Sequence, residues 1–390
     1  MKLKAILLSS MLAALTACGG GGGSSTAVSD TCSELSGDSF DCKTMLQDLN
    51  AIAVTKVTEL ETALTNLSTD VDAYCADTSS ALTAVKAEFS ATMAVVQQLE
   101  VMQFGPIGDA REDFYIWPSN SICRVDEQIA TSPNAVLSSV NPSRRGLTAV
   151  EYLLFESDVA AQCLALSSVD TWVNTTVPSL ADRTQARCDF AQRIVDDLEL
   201  KAAALKVDQT AYDFSAAFDT LQEGANNISD ALFYVDTETK DVKIKAALPQ
   251  LSSGSFDATK LESLFANISK ENIENNLLAA KEIIEGGIDD YLAIKGKQSL
   301  ATDMVAAIDG ALANITEIDG TLDAAIAAAD TTVSNCINLG GNGNYDASST
   351  DLEAYCALQW NIKIFTDLLK EDFVVALRFS TPSTADGDND

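Results

Sequence analysis

Apolar residues recur at steps of three and four over most of the chain, which is the period of an amphipathic helix. Residues 43–104 contain neither Gly nor Pro. They have room for two helices, with a break at the polar run Asp77-Thr78-Ser79-Ser80. Residues 105–145 hold Pro106, Pro118, Pro133 and Pro142, four of the seven prolines. This is the long irregular stretch, and such loops in compact domains often serve function. Asn141-Pro142 reads as an N-cap followed by a first helical residue, opening a helix that runs to about Glu156. Residues 188–223 again lack Gly and Pro, and Phe190, Ile194, Leu198, Leu205 and Tyr212 stand at helical spacing. Another breaker-free helix is predicted over 255–285; Gly286-Gly287 interrupts it, and helical patterns resume to about Ile337. Tyr355, Leu358, Ile362, Phe365, Leu369 and Phe373 then form one apolar stripe on a last helix over 350–378. All these stripes read as core-packing faces.

The fold class is therefore all-α. A helical body of about 350 residues buries roughly three quarters of its unfolded surface, which is too much for one four-helix bundle. Two helical bundles are expected, one over 31–225 with the Pro-rich loop 105–145, one over 226–380, before an acidic tail at 381–390. A short echo fits a two-bundle repeat: Glu151-Tyr152-Leu153 and Asp290-Tyr291-Leu292 each follow a Gly closely.

The N-terminus changes the picture of location. Lys2 and Lys4 precede an apolar run, Ala5 to Leu15, of signal-peptide length. Leu15-Thr16-Ala17-Cys18 resembles the bacterial lipobox, in which the cysteine is lipidated and becomes the first mature residue. Residues 1–17 are then a lipoprotein signal peptide, and 18–30, with five consecutive Gly, a flexible tether. Gly19 rather than Asp after Cys18 resembles the sorting signal for the outer membrane, facing periplasm or cell surface. Removing Lys2 and Lys4 takes the formal charge from −32 to −34. Such a chain repels phosphate backbones, so nucleic acid is excluded as a partner, and lipid must hold it at an anionic membrane.

Eight of the nine cysteines remain after Cys18, an even number in an exported chain. Four disulfides are the natural reading, among 105 connectivities that sequence alone cannot separate. Short separations suggest Cys32–Cys42, Cys163–Cys188 and Cys336–Cys356, which leaves Cys75–Cys123.

The chain has no histidine. That removes Ser-His-Asp, Cys-His and His-ligated zinc mechanisms together. No nucleotide-binding, hydrolase-elbow or Ser-Lys motif is present. One loop partly fits a calcium template, with Asn342, Asn344, Asp346 and Glu353 at positions 1, 3, 5 and 12. Position 6, however, is Ala347 where Gly is needed.

Three segments stand out: Phe104-Gly105-Pro106 with Arg111, Phe114-Tyr115 and Trp117-Pro118; then Arg145-Gly146-Leu147-Thr148-Ala149-Val150-Glu151-Tyr152-Leu153-Leu154-Phe155; and Leu368-Leu369-Lys370-Glu371-Asp372-Phe373 with Asp386-Gly387-Asp388. Together they resemble the imelysin family of exported bacterial helical proteins, linked to iron acquisition and grouped with the peptidases. The resemblance implies two α-helical bundles related as a degenerate repeat. It also implies a site around Gly146, position 148 and Glu151, with Arg111, Asp113 and Trp117 nearby, and iron or another metal as the cofactor class.

The family signature is Gly-x-His-x-x-Glu, and here Thr148 stands at the His position. A Thr hydroxyl is a poor ligand for a borderline divalent metal, which argues against a metal or peptidase role. Glu151 reads either as a ligand-site carboxylate or as a buried acid neutralised by Arg111, Arg144 or Arg145, with Arg111 the expected partner. Asp109, Glu112 and Asp113 are the nearest further oxygen donors in sequence. The leading functional expectation is a membrane-anchored, non-catalytic binding or accessory protein associated with iron uptake and its protein partners. A metal-dependent peptidase and a structural envelope lipoprotein are the alternatives.

Overall fold

The computed structural model describes residues 32, 40–80, 82–119, 121–159, 163, 167–248, 255–328, 336, 350–383 and 385. The expected signal peptide 1–17, Cys18, the expected tether and the loop residues Asn342, Asn344 and Asp346 lie outside them. Every regular element among the described residues is helical. The first part of the chain builds α1 (Cys42–Ala76), α2 (Thr83–Val101), α3 (Pro106–Phe114), α4 (Ile122–Thr131), α5 (Leu147–Phe155), α6 (Ser167–Thr171), α7 (Leu180–Ala211), α8 (Phe214–Ala217) and α9 (Leu221–Leu232). A π-helical segment, Val235–Ile244, follows, then α10 (Ser269–Ile283), α11 (Asp289–Ile294), α12 (Gln298–Glu317), α13 (Leu322–Ala327), α14 (Asp351–Leu368) and α15 (Val374–Leu377).

The long antiparallel pair α1 and α7 is the spine. Asp41 caps α1 by accepting from the Thr44 N–H at 3.0 Å, and Ser179 caps α7 by accepting from the Asp182 N–H at 3.1 Å. Leu46, Leu49, Ala53, Val57, Leu60, Leu64, Leu67 and Val71 make the buried stripe of α1. Phe190, Ile194, Leu198 and Leu205 answer from α7. At the other end of the pair, Asn50 donates to the carbonyls of Gln209 and Tyr212. A second pair, α12 on α14, carries the C-terminal stripe, in which Tyr355, Leu358, Ile362, Phe365, Leu369 and Phe373 are all buried. One apolar core is continuous across the described residues, and the boundary drawn at 225/226 falls inside α9.

Gly286-Gly287 interrupts the helix as expected: Gly287 takes a non-helical conformation at φ +134°, and the kink it makes between α10 and α11 lies directly against α1. A Cβ at 286 would stand 2.8 Å from Ile52 Cδ1, and one at 287 would stand 2.9 Å from Met45 Cγ. These two glycines let the second half of the chain press onto the spine. Two helix starts differ from expectation. Pro142–Arg144 is a single 3₁₀ turn capped by Asn141, and α5 begins only at Leu147, after Gly146 at φ +79°. The helix predicted from 255 begins at Ser269, because the preceding turn points its N–H groups elsewhere, as described below.

The disulfides are Cys32–Cys42, Cys336–Cys356, Cys75–Cys188 and Cys123–Cys163. The last two correct the expected Cys75–Cys123 and Cys163–Cys188. Short separation is a weak guide when two long helices pair: the antiparallel spine brings the end of α1 to the start of α7, with Cys75 and Cys188 Cα atoms 5.5 Å apart. Peptide mapping without reduction should recover 75–188 and 123–163 crosslinks. In the chain-entropy picture the 113-residue span of Cys75–Cys188 is worth about 4–5 kcal/mol, against about 3 for a short loop. Cys75→Ser with Cys188→Ser should therefore lower the melting temperature more than Cys32→Ser with Cys42→Ser; a 75–123 crosslink would refute this pairing.

Candidate functional site

The candidate site is a buried polar seam where α2, α3, α5, the π segment and the turn 261–268 meet. Gly146 sets its first wall. At φ +79° it adopts a conformation that side chains resist, and a Cβ there would lie 2.9 Å from the Phe114 carbonyl oxygen. The start of α5 can thus close onto the end of α3. Thr148 and Glu151, three residues apart, share one helix face.

Glu151 is 3% exposed. Its Oε1 accepts from the Phe265 and Ala266 N–H groups, each at 3.0 Å. The turn that aims them runs between Ser263 and Asn267, whose φ values of 50° and 58° are left-handed. Those N–H groups would otherwise belong to the early helix the sequence pattern suggests. Burial raises the Glu151 carboxyl, the backbone bonds oppose this, and the charge of Glu262 adds to it, leaving it at about 7.

None of the three arginines meets Glu151. Arg111 Nε lies 3.4 Å from Glu100 Oε1, Arg145 Nη2 lies 2.6 Å from Asp113 Oδ1, and Arg144 Nη2 lies 3.7 Å from Glu127 Oε2. The expected Arg111–Glu151 pair is thus replaced by Arg111–Glu100. The physical reason is that two backbone donors already serve Glu151, while Glu100 needs cations. Asp113 bridges Arg145 and Lys201, whose pull outweighs burial and holds its carboxyl below the ordinary value. Asp109 and Glu112 are exposed on α3. Glu353 sits in the first turn of α14, where Thr350 caps its N–H.

Thr148 is 4% exposed, and its Oγ1 has no hydrogen-bond partner among the described residues. It lines, with Glu151, a half-open cavity of about 430 Å³. Trp117, Ile122, Leu264 and Phe265 supply apolar walls, and Lys260 a cation among the lining residues. The cavity gathers Thr148, Glu151 and Trp117 of the expected site residues; Arg111 and Asp113 are not among its lining.

Sequence reasoning missed the charge centre beside it. Lys243 Nζ donates to Glu100 Oε2 at 3.0 Å and to the Gln97 Oε1, and lies 3.1 Å from Glu262 Oε1. Lys243, Glu100 and Glu262 are each no more than 3% exposed. Tyr234 donates to Glu100 Oε2 at 2.7 Å, and Asn276 donates to Gln97 Oε1 at 3.0 Å. Burial pushes the Tyr115 hydroxyl up, helped by the charges of Glu262, Glu151 and Glu100. The signal available was Gln97 and Glu100 standing within the apolar run of α2; nothing local marks their partner Lys243.

A divalent metal does not fit these residues. Among the described residues no group of three His, Cys, Asp or Glu is placed to hold one. The nearest carboxylate pair, Glu100 and Glu262, already encloses the Lys243 ammonium. Glu151 offers one carboxylate beside a Thr hydroxyl, too few donors for a tight site.

Glu151 binds its proton more readily in the folded chain than its ordinary value of 4.5 allows. Its contribution to stability is full below pH 4.5 and declines as pH rises through about 7. The difference amounts to about 3 kcal/mol. Glu151→Gln keeps the acceptor oxygen for Phe265 and Ala266 and cannot ionise. Between pH 5 and pH 8 the variant should lose less melting temperature than the wild type. Parallel losses in the two proteins would mean that Glu151 ionises at its ordinary pH.

Comparison with known proteins places this geometry. The family model described as imelysin matches residues 53–336, more than half of the chain. No curated protein sequence matches it. Among solved structures, an imelysin-like protein from Psychrobacter arcticum 273-4 superposes with a TM-score of 0.65 at 15% identity, covering 87% of this chain and 96% of that one. That likeness is one of fold; the family match carries the assignment, and the chain belongs to the imelysin family.

Proposed function

We propose that this protein is a non-catalytic imelysin-type binding protein, held at the outer membrane through lipidated Cys18, that takes a ligand in the Thr148–Glu151 cavity in support of iron uptake. The observation that carries the reading is the floor of that cavity: a buried Thr148 hydroxyl without a partner beside a buried carboxyl with a pKa of about 7. A buried polar group left unpaired costs free energy, and a ligand that pairs it recovers that cost. A half-neutral carboxyl both donates and accepts, so the floor suits a polar group of mixed character, with the ligand's apolar part against Trp117 and Phe265. The iron association rests on the family resemblance, and the anchor on the lipobox. None of the described helices is long and apolar enough to cross a membrane.

The test uses a strain that lacks its own copy and carries variants of the full chain. Cys18→Ser should move the protein out of the membrane fraction. Thr148→Leu replaces the hydroxyl with a bulkier apolar group; at undiminished protein level it should slow growth on limiting iron and leave growth on replete iron unchanged. Wild-type growth of Thr148→Leu on limiting iron would sink the cavity's role. Levels of the native protein that do not change between iron-starved and iron-replete cells would favour a structural envelope role.

A further inference from the structure

A second cavity, about 440 Å³, lies where α3 meets the end of α9 and the π segment. Gln103, Arg111, Asp230, Phe233, Tyr234 and Glu238 line it, and none of these lines the Thr148–Glu151 cavity. Arg111 is 28% exposed, and its guanidinium sits over the Tyr234 ring at 5.2 Å. Its single hydrogen bond runs from Nε to Glu100, so among the described residues neither terminal nitrogen has a partner. The planar fork that suits a carboxylate is left open.

The acids of the same cavity are open as well. Asp230 Oδ2 accepts from Asn226 at 3.3 Å, but its Oδ1 is buried without a partner among the described residues. Glu238 makes no hydrogen bond among the described residues. Burial raises both carboxyls, that of Glu238 against the pull of Arg111.

Charge decides the ligand class. Asp230 and Glu238 both line the cavity against the one lining cation, Arg111; Glu100, behind Arg111, is already paired with Lys243. A simple anion would meet that excess. A simple amine would leave the guanidinium fork unpaired. We propose that this cavity binds a small zwitterion of the amino-acid class, its carboxylate on the terminal nitrogens of Arg111 and its ammonium between Asp230 and Glu238.

Calorimetry on the intact disulfide-bonded chain tests this with glycine, L-leucine, 4-aminobutyrate and 6-aminohexanoate, which step the distance between the charges. Butyrate and butylamine serve as half-ligands. At least one zwitterion should bind tenfold or more tightly than either half-ligand. Asp230→Asn should weaken it at least tenfold, and Thr148→Leu should leave it unchanged. Arg111→Lys keeps a cation beside Glu100 but lacks the fork; it should melt like the wild type and still lose at least tenfold in affinity. Butylamine or butyrate binding as tightly as the best zwitterion would overturn the proposal, as would the absence of heat for all four zwitterions or full affinity in Arg111→Lys.

Discussion

The Lys243 ammonium, enclosed by Glu100, Glu262 and Gln97, is the contact around which the polar interior is arranged. Glu100 comes from α2, Lys243 from the π segment and Glu262 from the turn before α10, so three separate elements meet on one charge. Charges this deeply buried persist only when each is paired and hydrogen-bonded, and removing one member would strand the others. Lys243 and Arg111 together offset Glu100 and Glu262. Among the described residues no cation pairs with Glu151; burial raises its carboxyl towards neutrality, and it leans on two backbone N–H groups. The same allocation explains why Arg111 keeps only one bond and presents its fork to the second cavity.

The helices were legible because apolar spacing is a local property. The break at 77–80, the stripe from Tyr355 to Phe373 and the all-helical class all follow from it. The boundaries that failed did so where backbone groups are used by distant partners. Residues 255–268 carry neither Pro nor Gly, yet the N–H groups of Phe265 and Ala266 bind Glu151, more than a hundred residues earlier. Cys75 and Cys188 pair because α1 and α7 run antiparallel, which no spacing rule contains. Of the site, Gly146, Thr148, Glu151 and Trp117 were within reach of sequence. Lys243 was not, because a lone Lys between Val242 and Ile244 looks like any solvated residue until its helix is placed.

The departure of Thr148 from the family's His is consistent with its surroundings. An imidazole there would bring a metal ligand to a place where Glu151 is already engaged by backbone and where the nearest carboxylate pair holds an internal ammonium. The geometric demands of the motif nonetheless survive. Gly146 still closes against Phe114, and positions 148 and 151 still share a face on the cavity. The position and its access to the cavity are those of the motif, with a Thr hydroxyl standing where the motif has an imidazole.

The π segment explains how one helix serves two buried networks. In an α-helix, which turns about 100° per residue, Asp236, Lys240 and Lys243 would share a face. Both ammonium groups would then crowd Asp236. The wider i→i+5 turns of Val235–Ile244 rotate less per residue, and over seven residues the lag amounts to roughly a third of a turn. Over four residues it is smaller, so Lys240 still meets Asp236 at 2.8 Å. Lys243 is swung away from that pair and towards Glu100 and Glu262. Tyr234, just before these turns, reaches Glu100, and the turns bring Glu238 to the second cavity. An irregular helix, costly by itself, is thereby retained because it separates two like charges and delivers each to its own acids.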